Sequence, residues 1–216
     1  MVRGLILAAG ASSRMGRPKA ALPLSDRADT FLSRLLRTYI VAAVPEVVVV
    51  TGANAELVRA AAGRVDALVR FEHNANWNSG QLSSLLVGLD APVRGAVGAD
   101  TIEAVMMTLV DVPLVSPATC ARVLSAWRAS RAPIVRPARG DDHGHPVIFD
   151  RAVFAELRAA DPLHGAKPVV RGRADQILNV PSDDEGAFAD FDTDAQYQAL
   201  LDRLRSQPIN SVRRKD

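Results

Sequence analysis

The segment Leu5–Lys19, LILAAGASSRMGRPK, gathers residue types suited to holding a polyphosphate. A short apolar run leads into Ala9, Gly10, Ala11, Ser12 and Ser13. Residues this small let the backbone come close to a ligand and aim its N–H groups at phosphate oxygens. Ser12 and Ser13 add hydroxyl donors, and Arg14 and Lys19 add the positive charge that a triphosphate requires. Two other phosphate-binding loops are excluded by spacing. A Walker loop has four residues between its glycines and Lys-Ser/Thr directly after the second. Here five residues separate Gly10 from Gly16, and Lys19 is followed by Ala20. The dinucleotide fingerprint needs a glycine where Ser12 stands.

Further groups with chemical potential lie downstream. Asp111 directly follows the apolar run AVMMTLV and precedes Val112 and Pro113. A carboxylate just past a buried parallel strand stands where α/β sheets bind ligands, and it is a hard oxygen ligand for Mg²⁺. It lies too far upstream to cap a helix near Ser116–Thr119. Gly80, Gln81, Ser83 and Ser84 open a helical pattern and offer hydrogen bonds at its N-terminus; taken alone, the stretch reads first as a helix capped by Asn78 or Ser79. Asp192, within Asp190–Asp194, serves equally as a metal ligand or, with Thr193, as the cap of a helix starting near Asp194, while Asp190 and Asp194 read as solvated charges. Gly144-His145-Pro146-Val147 precedes a strand, and a lone histidine there is more often structural. His143-x-His145 has no third ligand at a zinc spacing.

Such residues need elements to bring them together. Short apolar runs at Leu5–Ala8, Glu46–Thr51, Ala67–Phe71, Ala104–Val110, Ile134–Arg136, Pro146–Phe149 and Gln176–Val180 predict strands. Helical patterns fall at Phe31–Ala43, Glu56–Ala62, Leu82–Leu89, Ala118–Ala129, Ala152–Ala159 and Ala195–Leu204. Strands separated by helices imply crossover connections, hence an α/β fold with a mostly parallel central sheet covered on both faces. A loop is expected over Ala91–Asp100, and a polar loop or hairpin over Arg136–His145. One domain is expected over residues 1–206, followed by a flexible basic tail at 207–216.

Composition bounds the class. The 216 residues are 48% hydrophobic and 23% charged, as in a globular domain, and aromatics make up only 5%. A net charge of +2, with no basic run interleaved with aromatics, argues against nucleic-acid binding. The single cysteine, Cys120, excludes an internal disulfide and reads as a small buried residue. Nothing reaches the length of a membrane span or the layout of a secretory signal, so a cytoplasmic enzyme is expected.

The segment LILAAGASSRMGRPKAALPL closely resembles the signature of the MobA-like nucleotidyltransferases, typified by molybdenum cofactor cytidylyltransferase and guanylyltransferase. The resemblance implies a single-domain Rossmann-like three-layer α/β/α sandwich of the nucleotide-diphospho-sugar transferase type. It places Ala8, Ala9 and Gly10 near nucleobase and ribose, with Ser12, Ser13, Arg14, Gly16 and Lys19 around the phosphates. NWNSGQLSSLLVGL resembles the family's second nucleotide-contacting stretch, which assigns Gly80, Gln81, Ser83 and Ser84; Gln81-Leu82 departs from the family's frequent Met-Ser. Asp111 matches the family's Asp-x-Pro metal ligand, and Asp192-Thr193 its late Asp-Thr pair, so the resemblance favours metal binding at Asp192. Gly144 and His145 would border the acceptor pocket. Arg14, Lys19 and Asp111 become the catalytic set, with Mg²⁺, or Mn²⁺ in its place, as cofactor.

The Ala-Ala-Gly form of the loop with Pro18-Lys19 behind it resembles the cytidylyl branch. The expected reaction is then transfer of CMP from CTP to the phosphate of molybdopterin-bound molybdenum cofactor, with release of pyrophosphate. The expected partners are the triphosphate, a phosphorylated small-molecule acceptor, and a molybdoenzyme or its chaperone. The alternatives are guanylyl transfer, a sugar- or polyol-phosphate acceptor on the same fold, and a chaperone that carries a nucleotide-bearing cofactor without turnover.

Overall fold

Runs of β-branched residues pass through the middle of the molecule, covered on both sides. The computed structural model describes residues 1–24, 29–93 and 102–206, and for Arg14 the backbone alone. In chain order come β1 (Val2–Ala8), α1 (Phe31–Val41), β2 (Glu46–Thr51), α2 (Ala55–Ala61), β3 (Val69–His73), α3 (Gln81–Asp90), β4 (Ala104–Leu109) and α4 (Pro117–Ser130). Then follow β5 (Ile134–Arg139), β6 (Asp142–His143), β7 (Val147–Asp150), α5 (Phe154–Ala159), α6 (Lys167–Gly172), β8 (Ile177–Pro181) and α7 (Asp194–Ser206). The expected tail at 207–216 lies outside the described residues, as does the expected Ala91–Asp100 loop from 94 onward.

The strands make one sheet in the order β3-β2-β1-β4-β7-β5-β6, with β8 paired to β5. β1 runs parallel to β2 and β4, β2 to β3, and β5 to β8. β7 is the antiparallel member, wedged between β4 and β5, and β6 closes a short hairpin on β5. That hairpin lies within the polar segment expected at Arg136–His145.

Alternation along the strands sends side chains to two cores. Ile6, Val47, Val49 and Met106 meet α1, α2 and α4 through Leu32, Leu35, Val58, Val123 and Trp127. Leu5, Leu7, Val48, Val50, Val105 and Met107 meet α3, α5 and α6 through Leu82, Leu85, Phe154, Leu157 and Val169. This is the expected single-domain, three-layer α/β/α arrangement. A third, smaller core joins α7 to the segment after β1, through Met15, Leu22, Leu24, Phe31, Tyr197 and Leu200.

Helix starts follow local chemistry. Thr30 and Ser33 form a reciprocal capping pair at α1: Ser33 N–H donates to Thr30 Oγ1 (3.0 Å) and Thr30 N–H to Ser33 Oγ (2.8 Å). Ser116 Oγ accepts from Thr119 N–H (3.2 Å) ahead of Pro117, the first residue of α4. No helix among the described residues is long and apolar enough to cross a membrane.

Candidate functional site

β1, β2, β3 and β4 are parallel, so the chain leaves all four at one edge of the sheet. Backbone pairing continues past the strand ends and fixes how each loop departs. Ala53 N–H donates to the Ala9 carbonyl (3.1 Å), Asn74 N–H to Thr51 (2.8 Å) and Val110 N–H to Leu7 (3.1 Å). Between these loops lies a cleft of about 370 Å³ whose lining includes Ala8, Ala9, Gly10, Ser12, Lys19, Gly80, Gln81, Ser84 and Asp111. A second cleft of about 240 Å³ is lined by Ser12, Ser13, Met15, Lys19 and Asp192. Ser12 and Lys19 belong to both.

The loop after β1 is built as a cradle. Ser12 takes a left-handed conformation (φ 53°), and its Oγ accepts from Lys19 N–H at 3.1 Å, drawing the loop back on itself. Its underside is apolar: Met15, Leu22 and Leu24 are buried against α1 and α7. Tyr197 of α7 donates its hydroxyl proton to the Pro23 carbonyl (2.7 Å), and the Arg17 guanidinium lies 5.2 Å above the Tyr197 ring. Gly16 is left-handed (φ 62°) and ends the turn Ser13–Met15, so it shapes the loop without lining either cleft. Arg14 sits in that turn, and its side chain lies outside the described residues.

Lys19 is the centre of charge. Its Nζ lies 2.9 Å from Asp111 Oδ2 and also bonds Asp192 Oδ1. Burial pulls the Lys19 pKa down, but hydrogen bonds and charge from Asp111 and Asp192 outweigh it, so the ammonium is held charged above the ordinary lysine value. Asp192 is drawn in because Phe191 N–H donates to the Asp111 carbonyl (3.0 Å). The choice between cap and acidic-site residue is resolved locally. Thr193 Oγ1 accepts from Gln196 N–H (3.3 Å), and Gln196 Oε1 accepts from the N–H groups of Asp192 and Thr193 (both 2.9 Å). Capping of α7 thus falls to Thr193 and Gln196, and the Asp192 carboxylate turns toward Lys19.

The donor set fits a hard divalent cation. Asp111 Oδ1 is buried without a hydrogen-bond partner, the kind of orphaned anionic oxygen that a cation satisfies. Among the described residues no group of three or more acidic, His or Cys side chains forms a closed cage. Mg²⁺ is usually held by one or two carboxylates, with water and substrate phosphates completing the shell. The Asp192 side chain is 41% exposed, against 18% for Asp111, so the site opens toward solvent on the Asp192 side.

The loop after β3 forms the opposite wall. Asn74, almost fully buried, donates its amide to Ser83 Oγ (2.8 Å) and Ser84 Oγ (2.9 Å) and accepts from Asn76 N–H (2.9 Å). Gly80, with φ 102°, is the residue ahead of α3, and no side chain caps the helix. The expectation of an Asn78 or Ser79 cap is therefore corrected: both sit in a separate turn, Trp77–Ser79. Ser84 reaches the cleft, but Ser83 does not line it; its hydroxyl donates to the Gly80 carbonyl (2.7 Å) and closes the first turn. Trp77, Asn78, Val58 and Leu109 line the cleft unanticipated. Trp77 and Asn78 fall within the stretch NWNSGQLSSLLVGL and Leu109 ends β4, but Val58 enters from the middle of α2, which no loop signal marks.

Gly144 and His145 are placed apart from both clefts. Gly144 N–H donates to the Pro137 carbonyl (3.0 Å) and His145 N–H to Ala187 (2.8 Å). Glycine is required at 144 because a Cβ would run into the Ala187 backbone. Burial lowers the His145 pKa, with the Met107 carbonyl and the charges of Asp111 and Asp190 acting weakly the other way, and its buried Nδ1 has no hydrogen-bond partner. The ring is therefore neutral at pH 7. Cys120 is fully buried, and its thiol is pushed up to about 12 by burial and by Asp184, which makes it chemically inert.

The chain matches the MobA-like NTP transferase domain over residues 4–177. It belongs to that family. Nicotine blue oxidoreductase of Paenarthrobacter nicotinovorans is 34% identical over 209 residues, which cover 93% of this chain and 96% of that protein. Among solved structures, Rv0371c of Mycobacterium tuberculosis H37Rv superposes with a TM-score of 0.76 at 28% identity, covering 93% of this chain and 98% of the other. The same protein in complex with manganese superposes with a TM-score of 0.68 at 28% identity and the same coverage. Family membership agrees with the signature seen in Leu5–Lys19, and the neighbours share the three-layer nucleotide-diphospho-sugar transferase-like fold.

Proposed function

We propose that this family member is a divalent-cation-dependent nucleotidyltransferase that moves CMP from CTP onto the phosphate of molybdopterin-bound molybdenum cofactor, releasing pyrophosphate. The observation that carries the proposal is the convergence of Asp111 and Asp192 on Lys19 where the two clefts meet. Two carboxylates and an ammonium at the end of a small-residue loop suit a triphosphate and its cation. The manganese complex of Rv0371c supports a divalent ion, and the Ala8-Ala9-Gly10 loop with Gly144-His145-Pro146 supports the cytidylyl branch.

In the proposed reaction an anionic phosphate oxygen of the acceptor attacks the α-phosphorus. A new P–O bond forms as the bond to the β-phosphate's bridging oxygen breaks, and pyrophosphate carries away the electron pair. The acceptor is already ionised at neutral pH, so no general base is needed, and the protein's task is alignment and charge stabilisation. Asp111 and Asp192 would hold Mg²⁺ or Mn²⁺, which when bound offsets phosphate charge. Lys19, Arg14 and the N–H groups of Gly10–Ser13 bind phosphate oxygens. Ala8, Ala9, Gly80, Gln81 and Ser84 hold the nucleoside, while Gly144 and His145, which line neither cleft, have no role in the proposed reaction.

A second reading follows from the 34% identity to an oxidoreductase. In it the larger cleft would hold a nucleotide-bearing two-electron carrier, and turnover would consume reduced carrier without forming pyrophosphate. Purified protein is incubated with Mg²⁺, molybdenum-loaded molybdopterin and CTP, GTP, ATP or UTP in turn, and pyrophosphate is quantified. Release with CTP alone, lost in Asp111→Ala, is the expected outcome. Release with GTP retains the chemistry and overturns the base assignment. Silence with all four, together with acceptor-dependent oxidation of a reduced nicotinamide or flavin, favours the oxidoreductase reading.

A further inference from the structure

The protein has two tryptophans, and their surroundings differ sharply. Trp127 is 2% exposed, donates its indole N–H to Asp150 Oδ2 (2.9 Å) and carries the Arg131 guanidinium 4.3 Å above its ring. Trp77 is half-buried and lines the larger cleft, and among the described residues its indole has no hydrogen-bond or ring partner. An aromatic surface of this size left uncovered in a cleft wall is an unused binding face.

The position of Trp77 is fixed from behind. A Cβ on Gly52 would come within 2.7 Å of Trp77 Cβ, so glycine there lets the Trp77 stem pack onto the backbone that follows β2. That backbone is joined to Ala9 through Ala53 N–H. On the other side the Asn74 amide ties the loop to α3. The indole is thus held on a stiff frame between the small-residue loop and the start of α3.

The cleft is also polarised. Lys19 lines both clefts, flanked by Asp111 in the first and Asp192 in the second, whereas Trp77 lines only the first, in company with Val58, Leu109 and the amides of Asn78 and Gln81. A nucleoside triphosphate has the same asymmetry, an uncharged aromatic base and a polyanionic tail. Matching the two puts the tail at Lys19 and the base at the indole. From this we infer that Trp77 is the base-stacking wall of the nucleotide site and supplies affinity common to all bases, while Asn78 and Gln81 supply the discrimination among them. The division follows from chemistry, since every base offers a π-face but only amides read its edge. This inference rests on the nucleotidyltransferase reading.

The test uses equilibrium dialysis of radiolabelled CTP, GTP and inorganic tripolyphosphate, in the presence of Mg²⁺, against wild type, Trp77→Phe and Trp77→Ala. Indole fluorescence is followed in parallel. Wild type is expected to show saturable quenching with each nucleotide and none with tripolyphosphate, and the quench disappears in Trp77→Phe while affinity is largely kept. Trp77→Ala is expected to bind both nucleotides about 5- to 150-fold more weakly, the range of base–aromatic stacking, with tripolyphosphate affinity unchanged. Equal nucleotide affinity in wild type and Trp77→Ala overturns the inference, as does a matching loss for tripolyphosphate, which would mark Trp77 as loop support. If wild type binds tripolyphosphate but no nucleotide, the base wall is wrong while the phosphate cradle stands. If it binds neither, the nucleotidyltransferase reading itself falls.

Discussion

Lys19 has two claims on its charge. It neutralises Asp111 and Asp192, and in the proposed reaction it also serves the triphosphate. Removing it should have opposite effects on the two ligands. In Lys19→Met the carboxylates lose their ammonium, so Mn²⁺ should bind the nucleotide-free variant more tightly than wild type, as read by electron paramagnetic resonance. Pyrophosphate release should fall about 100- to 1000-fold, the usual cost of deleting one such charge-stabilising donor. Weaker Mn²⁺ binding in the variant would mean that Lys19 organises the carboxylates rather than competing with the ion. Asp111 stood out in the sequence as a carboxylate directly after a buried strand and Lys19 as a cation in a small-residue loop, whereas Asp192 read equally as a helix cap until its partners were seen. Trp77 carried only the signal of the stretch around it: a lone aromatic in a polar loop looks like local packing until the cleft is seen.

At the scale of elements, the long helices and central strands were readable because their apolar pattern is dictated by burial on one or both faces. α6 was not read, because Gly165, Pro168 and Gly172 look like punctuation; yet Pro168 sits in the first turn, where a missing N–H costs nothing. β6 escaped because a two-residue hairpin strand has no pattern. Asp184 shows how side chains join such elements. Its Oδ2 accepts from Ser116 N–H (2.9 Å) and Thr119 Oγ1 (2.7 Å) at the start of α4, and its Oδ1 from Gly186 N–H (3.1 Å). Burial raises the Asp184 pKa, but these hydrogen bonds outweigh it and leave the group below the ordinary carboxylate value. The resulting stabilisation is fully present above the ordinary value and is lost as pH falls from there through the depressed folded one. Asp184→Asn should cost about 1–3 kcal/mol at neutral pH. The gap between variant and wild-type urea midpoints should hold down to about pH 4 and narrow as pH falls below it. A gap independent of pH would show that the charge of Asp184 contributes nothing.

At the scale of the whole molecule, one charged side chain ties the first strand to the far end of α3. β1 was expected at Leu5–Ala8, read from its unbroken apolar run. It begins at Val2, and Arg3 is fully buried. Burial is tolerated because the guanidinium is satisfied. Nε donates to Glu46 Oε2 (2.8 Å), Nη1 to the carbonyls of Gly88 (3.1 Å) and Ala91 (2.7 Å), and Nη2 to Pro92 (3.1 Å). Arg3 therefore satisfies carbonyls at the C-terminus of α3, the helix whose opposite end carries Gly80, Gln81 and Ser84 into the cleft. Arg3→Met keeps much of the volume but leaves Glu46, itself 5% exposed, with only the longer Arg70 contact (3.8 Å), and strands several carbonyls. Breaking a buried pair in this way costs about 3–5 kcal/mol. For a domain of this size that corresponds to a fall in Tm of roughly 6–20 °C by calorimetry. The double variant Arg3→Met/Glu46→Leu should recover part of the loss, because it removes the poorly compensated carboxylate but leaves the carbonyls of α3 without a donor and Arg70 without its Glu46 contact. Full recovery would show that the helix end needs no donor, and no recovery that the carbonyls, rather than Glu46, are the costly partners.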